Sequence, residues 1–371
     1  MLALRPDGVE VVAKPWGLGR RIATSALAFI AIGFIVFAAA GSSDEGRLEG
    51  AGSTLANPIL QRVSTSYQSY LAADRVDLAT QQGQSGDWVA GTGALDYDPI
   101  GSVGGLIRLN DPAMTFAVTE VPMSPAELEN EGRVQFPLIL GATAPVINLD
   151  LGGADLVLNA DVLSAIYLGQ ITRWTDPAIA ALNQGIALPD QAITVNHRSD
   201  GSGSSWTFTG YLAKSPGWTA GQTAQTNWPT GNGAEGSRGM IDAVKATEGA
   251  IGYAEIGQAS RAGLGVVHLI DGAGKPVAPS AQTIRAAATV ADWRPDTQNA
   301  AASTAQGWPM TATVYVVLRR DNAQNARALA FFRYFYAEAA RRADALGYVA
   351  LPEEVVQAVE AYWGETVNQQ S

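Results

Sequence analysis

Residues 197–212 read HRSDGSGSSWTFTGYL. The stretch AITVNHRS (192–199) leading into it predicts a strand, and the aromatic run behind it predicts a helix. A Gly/Ser-rich turn between a strand and a helix presents unpaired backbone N–H groups at the helix start. Those donors, together with the helix dipole, favour an anion. Gly201 and Gly203 allow close backbone approach to a ligand. Ser202, Ser204 and Ser205 add hydroxyl donors, and Arg198 adds a planar fork of charged donors. Asp200 stands where it can pin that arginine. A flexible Gly/Ser linker has the same composition; the strand-like and aromatic flanks speak for a site.

Outward from this stretch, strand and helix signals alternate. EGAGSTLANPILQRVSTSYQSYL (49–71) suggests a strand end, a Gly turn and a helix, with Ser53 or Thr54 as cap and Pro58 in the first turn. Ile59, Val63, Tyr67, Tyr70 and Leu71 form its helical stripe. Residues 79–94, rich in Gly and Gln, read as a loop. FPLILGATAPVINLDL (136–151) is an apolar run of the kind found in buried parallel strands. A helix is expected at 161–168, strands at GAIGYAEIG (249–257), GVVHLI (265–270) and TATVYVVLR (311–319), and two amphipathic helices close the chain. The alternation predicts an α/β fold with helices on both sheet faces. AGSTLANP (51–58) and GSVGGL (101–106) are further turn-to-helix candidates, each weak alone.

The composition narrows the chemistry. With no Cys, disulfides, thiolate metal sites and thiol nucleophiles are excluded, and two His leave no multi-histidine metal site. A net charge of -11 argues against nucleic acid and acidic membranes as partners. Neither a phosphate-binding G-x-x-x-x-G-K-[ST] loop nor a G-x-S-x-G nucleophile elbow is present. His197 adjoins the serines, which makes a Ser–His hydrolase imaginable, but neighbours on a strand point to opposite faces. Residues 22–40 are uncharged and mostly apolar and follow Lys14, Arg20 and Arg21. They read as a signal peptide with small residues for cleavage, as a retained anchor, or as a core helix. The first two place the rest outside the cytoplasm, in the periplasm or on the outer face of the membrane.

Eight stretches carry a family resemblance: GAGSTLANP (50–58), GSVGGL (101–106), RVQFPLILGA (133–142), LSAIYLGQITRWTDPAIAALN (163–183), RSDGSGSSWTFTGYLAK (198–214), EGAIGYAEIGQA (248–259), DGAGKPVAPS (271–280) and WPMTATVYVVL (308–318). In this order they resemble the phosphate-binding proteins of high-affinity phosphate ABC transporters. The resemblance implies a two-lobe periplasmic-binding-protein fold of type II, with the ligand cleft between lobes joined by two hinge strands. It divides the chain into an N-terminal segment 1–46, lobe I at 47–146 plus 312–371, and lobe II at 147–311. The hinges then fall near Pro145–Leu149 and Ala312–Leu318. It implies inorganic phosphate as ligand, held by Thr54, the backbone of Leu55, Ser102, Arg198, Ser202, Gly203 and Ser204, with Asp200 as the arginine's partner. It also implies a membrane permease as partner, a monomeric state, no catalytic step, and no metal or cofactor.

Four departures from the family pattern stand out. Leu55 replaces an aromatic residue and Ser204 a threonine, both keeping the donor. In Thr119-Glu120-Val121-Pro122, Glu120 stands where the family has Asp. A carboxylate in the cleft accepts a hydrogen bond only from a protonated oxyanion, so it admits phosphate and rejects sulfate. The loop around 77–94 has no counterpart in the resemblance. Rival readings are a binder of sulfate, arsenate or molybdate, a membrane-anchored phosphate sensor, and an exported phosphatase-like hydrolase.

Overall fold

The protein is described here by a computed structural model covering residues 47–81, 95–288, 293 and 306–367. Residues 22–40, and with them the choice between signal peptide and anchor, lie outside the described residues. So does the predicted loop from residue 82 to 94.

In chain order, β1 (Leu48–Gly52) leads through the turn at 53–56 to α1 (Asn57–Gln81). There follow β2 (Leu95–Asp98), α2 (Ser102–Arg108), β3 (Phe116–Thr119), α3 (Pro125–Asn130) and the long β4 (Arg133–Asn148). The middle of the chain holds β5 (Val157–Leu158), α4 (Ala160–Tyr167), α5 (Pro177–Leu182), β6 (Thr194–Arg198), α6 (Gly203–Leu212), β7 (Asn232–Ala234), α7 (Gly236–Ala246) and β8 (Ala250–Glu255). Next come α8 (Ile256–Ala262), β9 (Gly265–Val266), β10 (His268–Ile270), β11 (Pro276–Val277) and α9 (Ala281–Ala287). The chain ends with β12 (Thr311–Arg319), α10 (Asn325–Arg342), a short 3-10 turn at Asp344–Leu346 and α11 (Glu353–Thr366).

The strands of the main sheet run in the order β2-β1-β3-β12-β4-β8-β6-β7, with β9 also on β4. The pairing of β4 divides this sheet. Its first part, Arg133–Ala142, pairs with β12; from Thr143 to Asn148 it pairs with β8 instead. One half of the sheet thus comprises β1, β2, β3, β12 and the start of β4, and the other β6, β7, β8 and the end of β4. This is a two-lobe α/β fold, with β4 passing between the lobes. Trp308, fully buried, donates its indole N–H to the Thr143 carbonyl at 2.8 Å and fastens the entry to β12 where β4 changes partner.

Several sequence expectations need correction. The apolar run in β4 is antiparallel to β12, β8 and β9, not parallel. It is buried from Arg133 to Ile147, and a strand covered on both faces loses polar alternation whichever way its neighbours run. Helix α1 continues to Gln81, so residues 79–81 are helical rather than loop. Tyr70 is 54% exposed although it falls on the predicted apolar stripe, while Ile59 and Val63 are buried. The single strand expected over GVVHLI splits into β9 on the main sheet and β10 in a separate three-stranded sheet, β11-β10-β5.

Local signals explain where helices begin. Asn159 accepts from the Val162 N–H at 2.9 Å and starts α4; Asp176 accepts from the Ala178 N–H at 2.8 Å, ahead of Pro177 in α5. Ser124 and Glu127 form a reciprocal capping box on α3. Under α6 lies an aromatic core: Phe208 stacks on Tyr253 at 4.3 Å and lies 4.7 Å from Tyr167, all three buried. Burial of each ring is worth about 1.5–3 kcal/mol, so this cluster holds α6 firmly on β8.

Candidate functional site

The turn between β6 and α6 has the predicted geometry. Ser202 is the helix cap, its hydroxyl accepting from the Ser205 N–H at 3.3 Å. The cap leaves the N–H groups of Gly203 and Ser204 at the helix start, where the dipole is positive. Ser202, Gly203, Ser204 and Ser205 are all buried. Tyr253 sets the position of this turn relative to Arg198. Its hydroxyl accepts from the Arg198 N–H at 2.9 Å and pairs with the Ser205 hydroxyl at 2.8 Å.

Arg198 carries the fixed charge. Its side chain is only 1% exposed, and Asp200 holds it by a two-point fork: Nε donates to Oδ1 at 2.6 Å and Nη2 to Oδ2. Nη1 donates to the Thr54 hydroxyl at 3.3 Å, which also pairs with the Ser237 hydroxyl at 2.7 Å. Three of the five guanidinium N–H bonds are thereby engaged among the described residues. Asp200 also accepts from the Gly236 N–H at 3.1 Å. Burial acts to raise the Asp200 carboxyl, but the hydrogen bonds and charge of Arg198, with the Gly236 N–H, hold it below the usual range.

A second group converges on Gly203 from the other half of the sheet. Ser102 opens α2 and donates to Glu120 Oε2 at 2.7 Å, and Ser53 donates to Glu120 Oε1. The carboxylate stands so close to the start of α6 that a Cβ at Gly203 would collide with Oε2. Burial pushes the Glu120 carboxyl above the usual range, opposed by the Ser53 and Ser102 hydroxyls and by the charge of Arg198. Two backbone contacts bring the halves together. The Val103 N–H donates to the Gly201 carbonyl at 3.2 Å, and Gly101, at φ 90°, lies where a Cβ would come 2.7 Å from Asp200 Oδ2 and from the Gly201 carbonyl oxygen. Only glycine tolerates both that φ and that approach.

Thr54, Ser102, Glu120, Arg198, Asp200 and Gly203 are therefore brought to one place, with Ser202 and Ser204 in the same buried turn. Leu55 is buried beside them, and its carbonyl accepts from the Tyr348 hydroxyl at 2.6 Å. Participants not read from the sequence include Ser53 as a donor to Glu120, Ser237 on Thr54, and Tyr253 on the Arg198 N–H. The His197 ring stacks on Trp228 at 5.2 Å. Among the described residues no group of three or more His, Cys, Asp or Glu is placed to hold a metal ion.

A profile described as the PBP superfamily domain matches residues 38–339. A phosphate-binding protein PstS of Xylella fastidiosa is 37% identical over 75% of this chain and 80% of its own length. One from Pasteurella multocida is 38% identical over 74% of this chain and 83% of its own length. The chain belongs to the PstS phosphate-binding protein family of the PBP superfamily. The fold agrees: PfluDING, described as a high-affinity periplasmic phosphate-binding protein bound with phosphate, superposes with TM-score 0.61 at 22% identity, over 85% of this chain and 93% of that one.

One buried acid supports the site in this PstS-family chain from behind. Glu255, fully buried at the end of β8, accepts from the Gly257 and Gln258 N–H groups at 2.6 and 2.8 Å. This fixes Gln258, whose amide donates to the Thr54 carbonyl at 3.2 Å. Burial pushes the Glu255 carboxyl up to about 7, against the two N–H bonds and the charge of Arg261. The folded value lies above the ordinary 4.5, so its stabilising contribution is complete below 4.5 and is lost as pH rises through about 7. Between pH 5 and 8 the wild type is expected to lose up to about 3 kcal/mol relative to Glu255→Gln. Denaturant unfolding of both chains across that range measures it; parallel pH curves would refute the shift.

Proposed function

We propose that this chain captures inorganic phosphate between its two lobes and delivers it to the membrane permease of an ABC importer outside the cytoplasm. The observation that carries the reading is the buried Arg198, clamped by Asp200 and turned toward Thr54 beside the N-terminus of α6. Fixed dipoles and one immobilised cation in a dry cleft offset an anion's charge locally, so the chain's net negative charge is no obstacle. The ligand donors are Thr54, the backbone N–H of Leu55, Ser102, Arg198, Ser202, Gly203 and Ser204. Glu120 accepts the proton that phosphate carries and sulfate lacks. Lobe I comprises 47–146 and 312–371, lobe II comprises 147–311, and closure bends the two connecting strands.

The relatives' names describe binding proteins, and the reading assigns no bond-making step to this one. Titration calorimetry near neutral pH tests it. Phosphate is expected to bind one per chain, with no heat from sulfate. Equal binding of both would place Glu120 away from the ligand, and binding of neither would defeat the reading.

A further inference from the structure

We propose that the Glu120 carboxylate is an internal occupant of the anion site, which phosphate must push aside in order to bind. This rests on the phosphate-capture reading above. Glu120 accepts hydrogen bonds from the hydroxyls of both Ser53 and Ser102 and lies against the Gly203 end of α6. A serine hydroxyl has one proton to give. Ser53 and Ser102 therefore serve either the carboxylate or an incoming oxyanion, and two anions cannot share that point without strong repulsion.

Open space adjoins Glu120. Glu120 also borders a cavity of about 300 Å³, lined on its other sides by Thr207, Lys214, Gln222 and Thr313. Retraction toward it by about one hydrogen-bond length, ~2.7 Å, frees both serines and leaves the carboxylate facing the ligand. A P–OH can then donate to it. Sulfate brings no proton and meets only repulsion. The extra methylene of Glu over Asp lets the acid reach the serines and the helix start, so the site is self-occupied and its affinity is reduced.

The test is calorimetric titration of phosphate into the full-length wild type, Glu120→Asp and Glu120→Ala, each with sulfate in parallel. Glu120→Asp is expected to bind phosphate about tenfold tighter, the equivalent of one or two recovered hydrogen bonds, and still reject sulfate. Glu120→Ala is expected to bind phosphate at least as tightly as the wild type and to admit sulfate. A wild type that binds phosphate, with Glu120→Asp no tighter, overturns the occupant role and leaves the capture reading standing. Failure of all three chains to bind phosphate overturns both.

Discussion

Replacing Arg198 by alanine is expected to lower phosphate affinity by about a thousandfold or more, an effect of about 4 kcal/mol. The Arg198 guanidinium is a buried, fixed cation beside the start of α6, with three of its five N–H bonds engaged among the described residues. Its removal has a second effect. Asp200, whose side chain is only 16% exposed, loses its partner and remains as a carboxylate beside the incoming anion. Breaking a buried pair from one side typically costs about 3–5 kcal/mol of stability. Loss of binding in Arg198→Ala alone could therefore reflect a damaged fold. The double variant Arg198→Ala/Asp200→Ala separates the two. It is expected to recover much of the lost stability in denaturant unfolding and none of the phosphate heat. Retained phosphate binding in either variant would refute the assignment of Arg198.

Gly105→Val is expected to cost about 3 kcal/mol and to weaken phosphate capture with it. Gly105 lies where α2 crosses β1. A Cβ there would run into the Cα of Gly52 and come 2.7 Å from the Ala51 carbonyl oxygen, both backbone atoms that cannot turn away. The helix must lift, and it carries Ser102 at its start. Gly52 is equally constrained, at φ 131° against the Val118 carbonyl, so the turn holding Ser53 and Thr54 cannot absorb the shift. Gly104 is the control. The atoms nearest its Cβ would be those of the flexible Ile100 side chain, from 3.2 Å, and Gly104→Ala is expected to be nearly silent in thermal unfolding and titration alike. Equal effects at both positions would contradict this account of the helix contact.

The site was legible in the sequence wherever its chemistry is local. The turn from Arg198 to Ser205 announces itself because strand, cap, glycines and helix are consecutive, and Asp200 falls within reach of Arg198. Residues that act across the fold gave no such signal. Tyr253 reaches Arg198 from 55 positions away, and Ser237 meets Thr54 from 183. Neither spacing has a periodicity to detect, and a Tyr in a buried strand ordinarily reads as core. Strand direction in β4 was hidden for a related reason. Burial on both faces is set by the helices above and below, and it erases the alternation that would have marked antiparallel neighbours. The resemblance pointed to an acid at 120 but not to its posture, because the extra methylene matters only once Ser53, Ser102 and Gly203 have been folded around it.

The central claim is that an oxyanion sits where Thr54, Ser102, Arg198 and the start of α6 converge. A crystal structure of the chain grown with phosphate tests it most directly. The account predicts one tetrahedral anion within hydrogen-bond distance of the Arg198 guanidinium, the Ser102 hydroxyl and the Gly203 and Ser204 N–H groups, with Glu120 withdrawn from Ser53. Phosphate bound elsewhere on the chain, with Arg198 untouched, would contradict it.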